Sequence, residues 1–529
     1  MMKIKITIIG LSVLILMGIT GCDEWLTIKP ESQIILDEYW KSETDVQAVL
    51  AACYKGLTTD DNIYRMIIWG ELRSDNMVTG SGSADNMKDM QKILDGNITS
   101  SNAYSSWGSF YTVINYCNTI LYYAPQVTER DNNFTQSHLQ RVQAEALTIR
   151  ALCYFYLVRT FKEVPYIVDA SIDNTQNYAK PKDTEQTIIN NIITDLLTAQ
   201  KYAQTDFGRT DYNKGRITLD AVNSLLADVY LWNQQYDLCA QTCDLVLADK
   251  NLKLVESTNM FTQVFYLGNS TESIFELQFK ENVQFNNPAA ILYGSGSKSI
   301  LGYLGFPATL AYNPVINIAG IFSPFDYKVS TTVIEGVNDI RASEFYMLYG
   351  GRYFIFKYAG LTVIKSIIAG AQPGYVYRSN SANWIVYRLS DVMLMKAEAL
   401  VELDGATNLN NALSLVNETY LRSNPGQDSL KISDYITKFK MENLVLRERQ
   451  RELLFEGKRW FDLVRVARRE NSTSTLNDYV NHKSSGNNAV PLGAVVMDAM
   501  YMPISKSELE ANPNMIQNPF YQETTSITK

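Results

Sequence analysis

The chain has 529 residues, of which 46% are hydrophobic and 19% are charged, and its formal net charge is −9. This composition predicts a globular protein and argues against intrinsic disorder, and the acidic balance argues against a nucleic-acid partner. The two histidines, His138 and His482, stand far apart in the sequence. We therefore expect neither a histidine-based metal site nor a Ser-His-Asp triad, and no cofactor.

The first 21 residues have the pattern of a targeting segment. Lys3 and Lys5 form a positively charged start, and residues 6–17 form an apolar run that is too short to span a bilayer. The small residues that precede Cys22 resemble a bacterial lipobox, in which the cysteine becomes the acylated first residue of the mature chain. We therefore predict a lipoprotein signal peptide over residues 1–21 and lipidation of Cys22. The alternative is an ordinary secretory signal with an incidental cysteine.

The remaining cysteines do not indicate a metal site, because they are odd in number and lack zinc-like spacing. They are Cys53, Cys117, Cys153, Cys239 and Cys243. Cys239 and Cys243 are one helical turn apart, so a disulfide between them is conceivable. A chain of this length forms a large hydrophobic core without disulfide bonds, so we expect buried free thiols instead.

The first part of the mature chain, residues 22–250, is predicted to consist of paired helices. Small residues such as Ala144 and Ala151 allow a close approach of neighbouring helices, and aromatic residues and short turns lie near the helix ends. This is the scheme of tetratricopeptide repeats, although the period is irregular, so we predict TPR-like helix pairs and no regular array. The helices expected here span 107–123, 139–161, 184–202, 218–233 and 235–248.

Helical spacing disappears in residues 251–375, where glycine, asparagine, proline and serine alternate with scattered aromatic residues. Two short strands are expected, at residues 273–279 and 352–358. Long irregular segments on a rigid scaffold are usually functional. Aromatic rings pack on the C–H face of a sugar, and amide, carboxylate and guanidinium groups bind its hydroxyls. The segment therefore suits a neutral, hydroxyl-rich ligand.

The last part of the chain, residues 376–529, returns to helices. Helices are predicted over 384–403 and 409–422, followed by the charged stretch 441–469. In its first part apolar residues crowd round a charged group, and Gly457 is predicted to end a helix in the left-handed conformation. The charged residues of this group are Arg447, Glu448, Arg449, Arg451 and Glu452. We interpret the charges as partly buried and paired, in a structural role. The alternative is a solvated charged face with pairs at helical spacing.

The run RERQRELLFEGKRWFDLVR, at residues 447–465, resembles the C-terminal signature of the SusD/RagB family. These proteins are surface lipoproteins of outer-membrane nutrient-uptake systems. Residues 387–391 and the tail at residues 502–521 are also similar to the family. The resemblance implies a single SusD-like domain over residues 22–529, mainly α-helical. Its TPR-like helix pairs would form a right-handed scaffold, interrupted by a variable, loop-rich insert with a few short strands.

The resemblance also implies a non-catalytic protein of the cell surface, held in outer-membrane lipid through acylated Cys22. Asp23 and Glu24 are similar to the acidic tag that directs such lipoproteins to the surface. The protein would bind an oligosaccharide and deliver it to a TonB-dependent, SusC-like porin. Carried over position by position, ligand contacts are implied for Trp69, Asp75, Asn76, Trp107, Tyr303 and Tyr312. The absence of tryptophan between Trp232 and Trp384 departs from the family pattern and argues against a starch-like ligand.

Two other functions remain open from the sequence. The same architecture serves peptides in RagB-like proteins, and the acidic body would then favour basic peptides. A lipid-anchored glycoside hydrolase is the third possibility, and it needs two carboxyl groups roughly 5–9.5 Å apart across a cleft. No motif in the sequence marks such a pair, so we predict a binding protein and not an enzyme.

Overall fold

The computed structural model of the chain describes residues 38–77, 88–172, 176–280, 287–293, 339–341, 345–349, 352–355, 357–358, 361–364, 374–377, 381–481 and 494–522. The predicted signal peptide, Cys22, Tyr303 and Tyr312 lie outside these ranges. The described part is mainly α-helical, as predicted, and contains six short strands. None of its helices combines the length and the apolar composition that a membrane crossing requires.

The helices before the insert include the five that were predicted, each within a few residues of its expected bounds. They are α1 (Glu43–Leu57), α2 (Asp60–Ile67), α3 (Lys88–Leu94), α4 (Gly108–Val127), α5 (Gln136–Phe161), α6 (Glu185–Gln200), α7 (Thr210–Gly215), α8 (Leu219–Trp232) and α9 (Tyr236–Leu247). Threonines begin several of them: the side chains of Thr135, Thr184 and Thr218 each accept a hydrogen bond from the first helical turn. Such caps satisfy backbone amides that otherwise lack a hydrogen-bond partner, so the local sequence predicts where these helices begin.

The insert and the C-terminal part add shorter elements and a second set of long helices. The helices are α10 (Ser257–Met260), α11 (Pro288–Tyr293), α12 (Leu389–Leu403), α13 (Ala406–Ser423), α14 (Lys438–Glu452), α15 (Arg459–Glu470), α16 (Ser474–Asn481) and α17 (Lys506–Ala511). The strands are β1 (Ser273–Leu277), β2 (Tyr346–Tyr349), β3 (Arg352–Ile355), β4 (Leu361–Ile364), β5 (Gly374–Tyr377) and β6 (Trp384–Arg388).

The long helices pack in one continuous series, in which the last long helix before the insert contacts the first long helix after it. Helices α4, α5, α6, α8 and α9 contact one another in this order, and α9 then packs directly against α12. Helices α12, α13 and α14 continue the series. Ala144 and Ala151, the small residues expected at a helix crossing, are both buried. The scaffold is therefore uninterrupted in space although residues 248–388 separate α9 from α12 in the chain.

Strands β1 and β6 join the two ends of the insert. They pair antiparallel, with Glu276 opposite Ile385 and Leu277 opposite Trp384. The helix predicted over 384–403 was wrong in its first five residues, because this pairing takes residues 384–388 into β6 and α12 begins only at Leu389. The insert also contains two hairpins, β2–β3 and β4–β5. Of their four strands, the sequence predicted only β3.

The five cysteines after Cys22 are all free and buried, as expected. The Sγ atoms of Cys53 and Cys117 lie 3.7 Å apart, and burial raises the pKa of the Cys239 thiol well above its usual range. A raised pKa keeps such thiols protonated and unreactive. The conceivable disulfide between Cys239 and Cys243 is absent.

The charged stretch is buried, so the solvated alternative was wrong and the structural interpretation is confirmed. Every side chain from Arg447 to Glu452 is buried. Glu452 accepts hydrogen bonds from Arg341 at 2.7 Å and from Arg388 and Arg422. Although burial alone would raise its pKa, these arginines hold the pKa of Glu452 well below its usual range. Gly457 adopts a positive φ of 70°, as predicted, but the prediction that it ends a helix was wrong, because helix α14 already ends at Glu452.

A second buried cluster joins helices α12, α14 and α15. Asp391 accepts from Arg449 and Lys458, both at 3.0 Å, and Glu398 accepts from Arg465 at 2.7 Å and 3.0 Å. Burial opposes the charged form of both carboxyl groups. The neighbouring cations outweigh it, so Lys458 and Arg449 lower the pKa of Asp391 to about 2 and Arg465 lowers that of Glu398 to about 2. Such pairs are stable only when both members stay charged.

Acid should therefore weaken the contribution of this cluster to the fold. The pKa values of Asp391 and Glu398 are about 2 in the folded chain, against ordinary values of 3.8 and 4.5, so the unfolded chain binds more protons at these two groups in this interval. Their stabilisation is complete above about pH 5 and is lost as the pH falls toward 2, by on the order of 2 kcal/mol for each group. Urea unfolding of the protein and of a Glu398→Gln variant between about pH 5 and pH 3 isolates this loss, because the raised pKa values of Glu71 and Asp220 act in the opposite sense in both proteins. A difference in the free energy of unfolding that stays constant over that range would contradict it.

Candidate functional site

The insert is attached to one short segment, residues 452–457, which we call the signature turn. The hydroxyl of Tyr293 donates to the carbonyl oxygen of Phe455 at 2.9 Å. The ammonium group of Lys357 donates to the carbonyl oxygen of Leu454 at 2.9 Å. Because helix α14 has just ended, these carbonyl groups have no partner in a helix, and side chains from the insert satisfy them.

Arg341 makes a further attachment, and its side chain is fully buried. Its guanidinium binds Asp339 through two nitrogens, at 2.9 Å and 2.6 Å. The remaining nitrogen donates to Glu448 at 2.9 Å and to Glu452 at 2.7 Å. A planar guanidinium that is shared between three carboxylates fixes both the position and the orientation of residues 339–341.

The segment that leads into residues 78–87 reaches the same turn from the other side. Glu71 accepts a hydrogen bond from the backbone amide of Phe455 at 3.0 Å and from Asn76 at 2.7 Å. Burial raises the pKa of Glu71 to about 7, against the opposing effect of these two hydrogen bonds. Gly70, in the π-helical turn Ile68–Leu72, approaches Gly457 so closely that no β-carbon would fit between them.

Asp75 and Asn76, which were predicted to contact ligand, are buried beside this turn. The guanidinium of Arg459 donates to both carboxylate oxygens of Asp75, at 2.8 Å and 3.0 Å. The amide of Gln450 donates to Asp75 at 2.9 Å and to Asn76 at 2.8 Å. These contacts hold Asp75 and Asn76 on the C-terminal helices, where they support the segment before residue 78.

The two predicted tryptophans are also buried. Trp69 is 1% exposed, donates its indole N–H to the carbonyl oxygen of Tyr104 at 2.9 Å, and stacks on Phe110. Trp107 is 2% exposed and packs edge-on against Phe161, but it also borders a surface cleft. Ligand contact by these tryptophans, and by Tyr303 and Tyr312 outside the described residues, stays a prediction.

The cleft beside Trp107, which we call the aromatic cleft, has a volume of about 360 Å³. It lies between helix α4, residues 165–171 and 178–179, and helix α17. Aromatic and apolar side chains form most of its walls, and a carboxylate and several amides complete it. Its main lining residues are Trp107, Tyr111, Ile167, Tyr178, Glu508 and Met515.

A second cleft, of about 580 Å³, is lined mainly by hydroxyl, amide and carboxylate groups. Asp220 lies in it, and its pKa is raised to about 7 by burial, by the charge of Asp249 and by a hydrogen bond to the same carboxyl group.

The anchors of the insert were not identified from the sequence. Asp339, Arg341 and Lys357 lie in an irregular segment that carried no helical pattern. The available signal was the isolated charge itself, because Lys357 stands between aromatic residues and contacts the rings of Phe265 and Phe345. A lone cation among aromatic residues indicates a buried partner elsewhere in the chain.

Comparison with known proteins gives consistent matches. Residues 346–521 match the SusD family, and residues 24–231 match a family described as starch-binding and associating with the outer membrane. SusD-like protein P38 of Formosa agariphila is 25% identical, over 98% of this chain and 100% of that protein. A SusD-like protein of Bacteroides ovatus is 23% identical, over 88% of this chain and 82% of that protein.

Solved structures share the fold. A SusD homologue from Bacteroides thetaiotaomicron superposes with a TM-score of 0.72 at 18% identity, covering 93% of this chain and 99% of that chain. A SusD-like protein from Bacteroides fragilis superposes with a TM-score of 0.68 at 19% identity, covering 93% of this chain and 100% of that chain. The mainly helical scaffold described above therefore has the same fold as these SusD-like structures.

The close approach of Gly70 to the signature turn gives a direct test of its structural role. A β-carbon at Gly70 would lie 1.8 Å from the carbonyl oxygen of Gly457, so Gly70→Ala should lower the free energy of unfolding by about 3 kcal/mol or more. The control is Gly108→Ala, because a β-carbon there meets only Glu508, at 4.0 Å. Chemical denaturation of both variants measures the difference, and equal stability of the two would contradict the packing.

Proposed function

This chain belongs to the SusD family, and on that premise we propose that it is a non-catalytic lipoprotein that captures an oligosaccharide at the cell surface. It then passes the glycan to a TonB-dependent, SusC-like transporter in the outer membrane. The observation that carries the proposal is the attachment of a long, aromatic-rich insert to one buried turn of an uninterrupted helical scaffold. The direct packing of α9 on α12 also supports one domain over residues 22–529.

The buried charges of the scaffold support binding without catalysis. Glu452, Asp391 and Glu398 have lowered pKa values because arginine or lysine surrounds each of them. A carboxylate that is held ionised by permanent cations is a poor proton donor and has no access to a substrate. These groups therefore stabilise the fold, and we assign ligand binding to the surface segments.

The ligand is proposed to bind to the insert, with Tyr303 and Tyr312 as contacts. Tyrosine rings offer an apolar face to the C–H side of a sugar, and their hydroxyl groups bind sugar hydroxyls. In this proposal the buried Asp75 and Asn76 act indirectly, because they hold the segment that precedes residues 78–87. Trp107 is not assigned to this ligand, because it borders the aromatic cleft.

A peptide ligand is the second candidate. The net charge of −9 favours a basic peptide through the field of the whole protein. The two candidates differ in salt dependence, because a charged peptide is attracted electrostatically and a neutral glycan is not. Aromatic stacking with a glycan would persist at high salt.

Ligand contact by the insert is tested by replacing its tyrosines. Tyr303→Ala and Tyr312→Ala should each weaken glycan binding by on the order of 1 kcal/mol, because each removes one stacking face. The matched control is Tyr202→Ala, which removes an exposed tyrosine at the end of helix α6. Calorimetry with a panel of neutral oligosaccharides and a lysine-rich peptide supplies the measurement. Binding of the peptide alone would replace the glycan assignment with the peptide one.

Anchoring through Cys22 is tested separately. Acyl chains bind the bilayer at about 0.8 kcal/mol for each buried CH₂ group, and two or more chains give stable attachment. Cys22→Ala should therefore abolish incorporation of labelled palmitate and release the protein from the outer-membrane fraction. Cys53→Ala, at a buried thiol, is the control and should leave labelling unchanged. Palmitate labelling that survives in Cys22→Ala would remove the lipid anchor from the proposal.

A further inference from the structure

The aromatic cleft contains one carboxylate whose surroundings differ from those of the other acidic groups. Glu508, on helix α17, is half-buried and lines the cleft together with Trp107. Within the described part of the chain, no lysine or arginine forms an ion pair with it. Burial raises the pKa of Glu508, and the neighbouring indole N–H of Trp107 opposes that rise. Among the described residues, the carboxylate is thus partly desolvated without a paired cation.

The amides that line the cleft are largely hydrogen-bonded already. The side-chain oxygen of Asn115 accepts from the backbone of Ser171 at 2.8 Å. Asn512 donates to the carbonyl oxygen of Lys180 at 2.7 Å and accepts from the backbone of Asn514 at 3.0 Å. These bonds hold the walls together and leave fewer polar atoms for the many hydroxyl groups of a sugar. Among the described lining residues, Glu508 is the one with a charged side chain.

The apolar and aromatic side chains that line the aromatic cleft indicate which other groups a ligand should carry. Ile167 and Met515 are partly buried, and Tyr178 is 51% exposed at the rim. Apolar walls suit a chain of methylene groups, and aromatic rings near a carboxylate attract an ammonium group at its end. A volume of about 360 Å³ lies within the range of ligand pockets, at its lower end.

We propose that the aromatic cleft binds the side chain of a lysine from a peptide or protein partner. Its ammonium group pairs with Glu508, and its methylene chain packs between Tyr178, Ile167 and Met515. The ligand is an alkylammonium group because the charged side chain that lines this largely aromatic and apolar cleft is an anion. This site does not depend on glycan capture by the insert, and either assignment stands if the other fails.

The test compares three small probes on the full-length mature protein by ligand-detected NMR titration. They are Nα-acetyl-lysine methylamide, its uncharged isostere Nα-acetyl-norleucine methylamide, and glucosamine. The lysine probe should bind about tenfold more tightly than the norleucine probe, since a hydrogen bond to a charged group contributes about 1.4 kcal/mol or more. Glucosamine should bind more weakly than the lysine probe, because the wall amides are largely hydrogen-bonded already.

Variants then assign the effect to the cleft. Glu508→Gln should remove the preference for lysine over norleucine, while Glu510→Gln, an exposed residue on the same helix, should preserve it. Tyr178→Ala at the rim should weaken the lysine probe several-fold without a loss of stability, which thermal unfolding checks. The proposal is overturned by equal affinity for lysine and norleucine, by a preference that persists in Glu508→Gln, or by tighter binding of glucosamine.

Discussion

The structure depends on the pairing of buried arginines with buried glutamates next to the signature turn. Glu452 receives Arg341 from the insert, Arg388 from strand β6 and Arg422 from helix α13. An isolated buried charge is unfavourable by several kcal/mol, so each of these groups is tolerated inside the protein only while the others are present. Pairing therefore couples the docking of three distant parts of the chain and leaves little room for partly assembled states.

This coupling explains how one scaffold can carry an irregular segment without losing its shape. The insert leaves and re-enters at paired strands β1 and β6, and several of its described anchors end on residues 452–457. Arg341 also binds Glu448, one helical turn before this segment.

Local sequence signals predicted the helices, but they did not predict the elements that depend on contacts between residues far apart in the chain. The helix expected over 139–161 is Gln136–Phe161, and the one expected from Thr218 begins at Leu219 with Thr218 as its cap. The strand at Trp384 was missed because its partner, β1, lies more than a hundred residues earlier in the chain. Trp69, Asp75 and Asn76 matched positions that the family resemblance assigns to ligand, yet the structure places them inside the scaffold.

The sequence alone determined the family, the helix pairs, the position of the irregular insert and the structural role of the charged stretch. These follow from periodicity, capping residues and the order of residues in the signature, all of which are local along the chain. Only the tertiary structure decided which charges pair, where the insert is anchored, and that Glu508 lines the same cleft as Trp107. Burial and electrostatic pairing depend on contacts between residues hundreds of positions apart, and no local pattern specifies them.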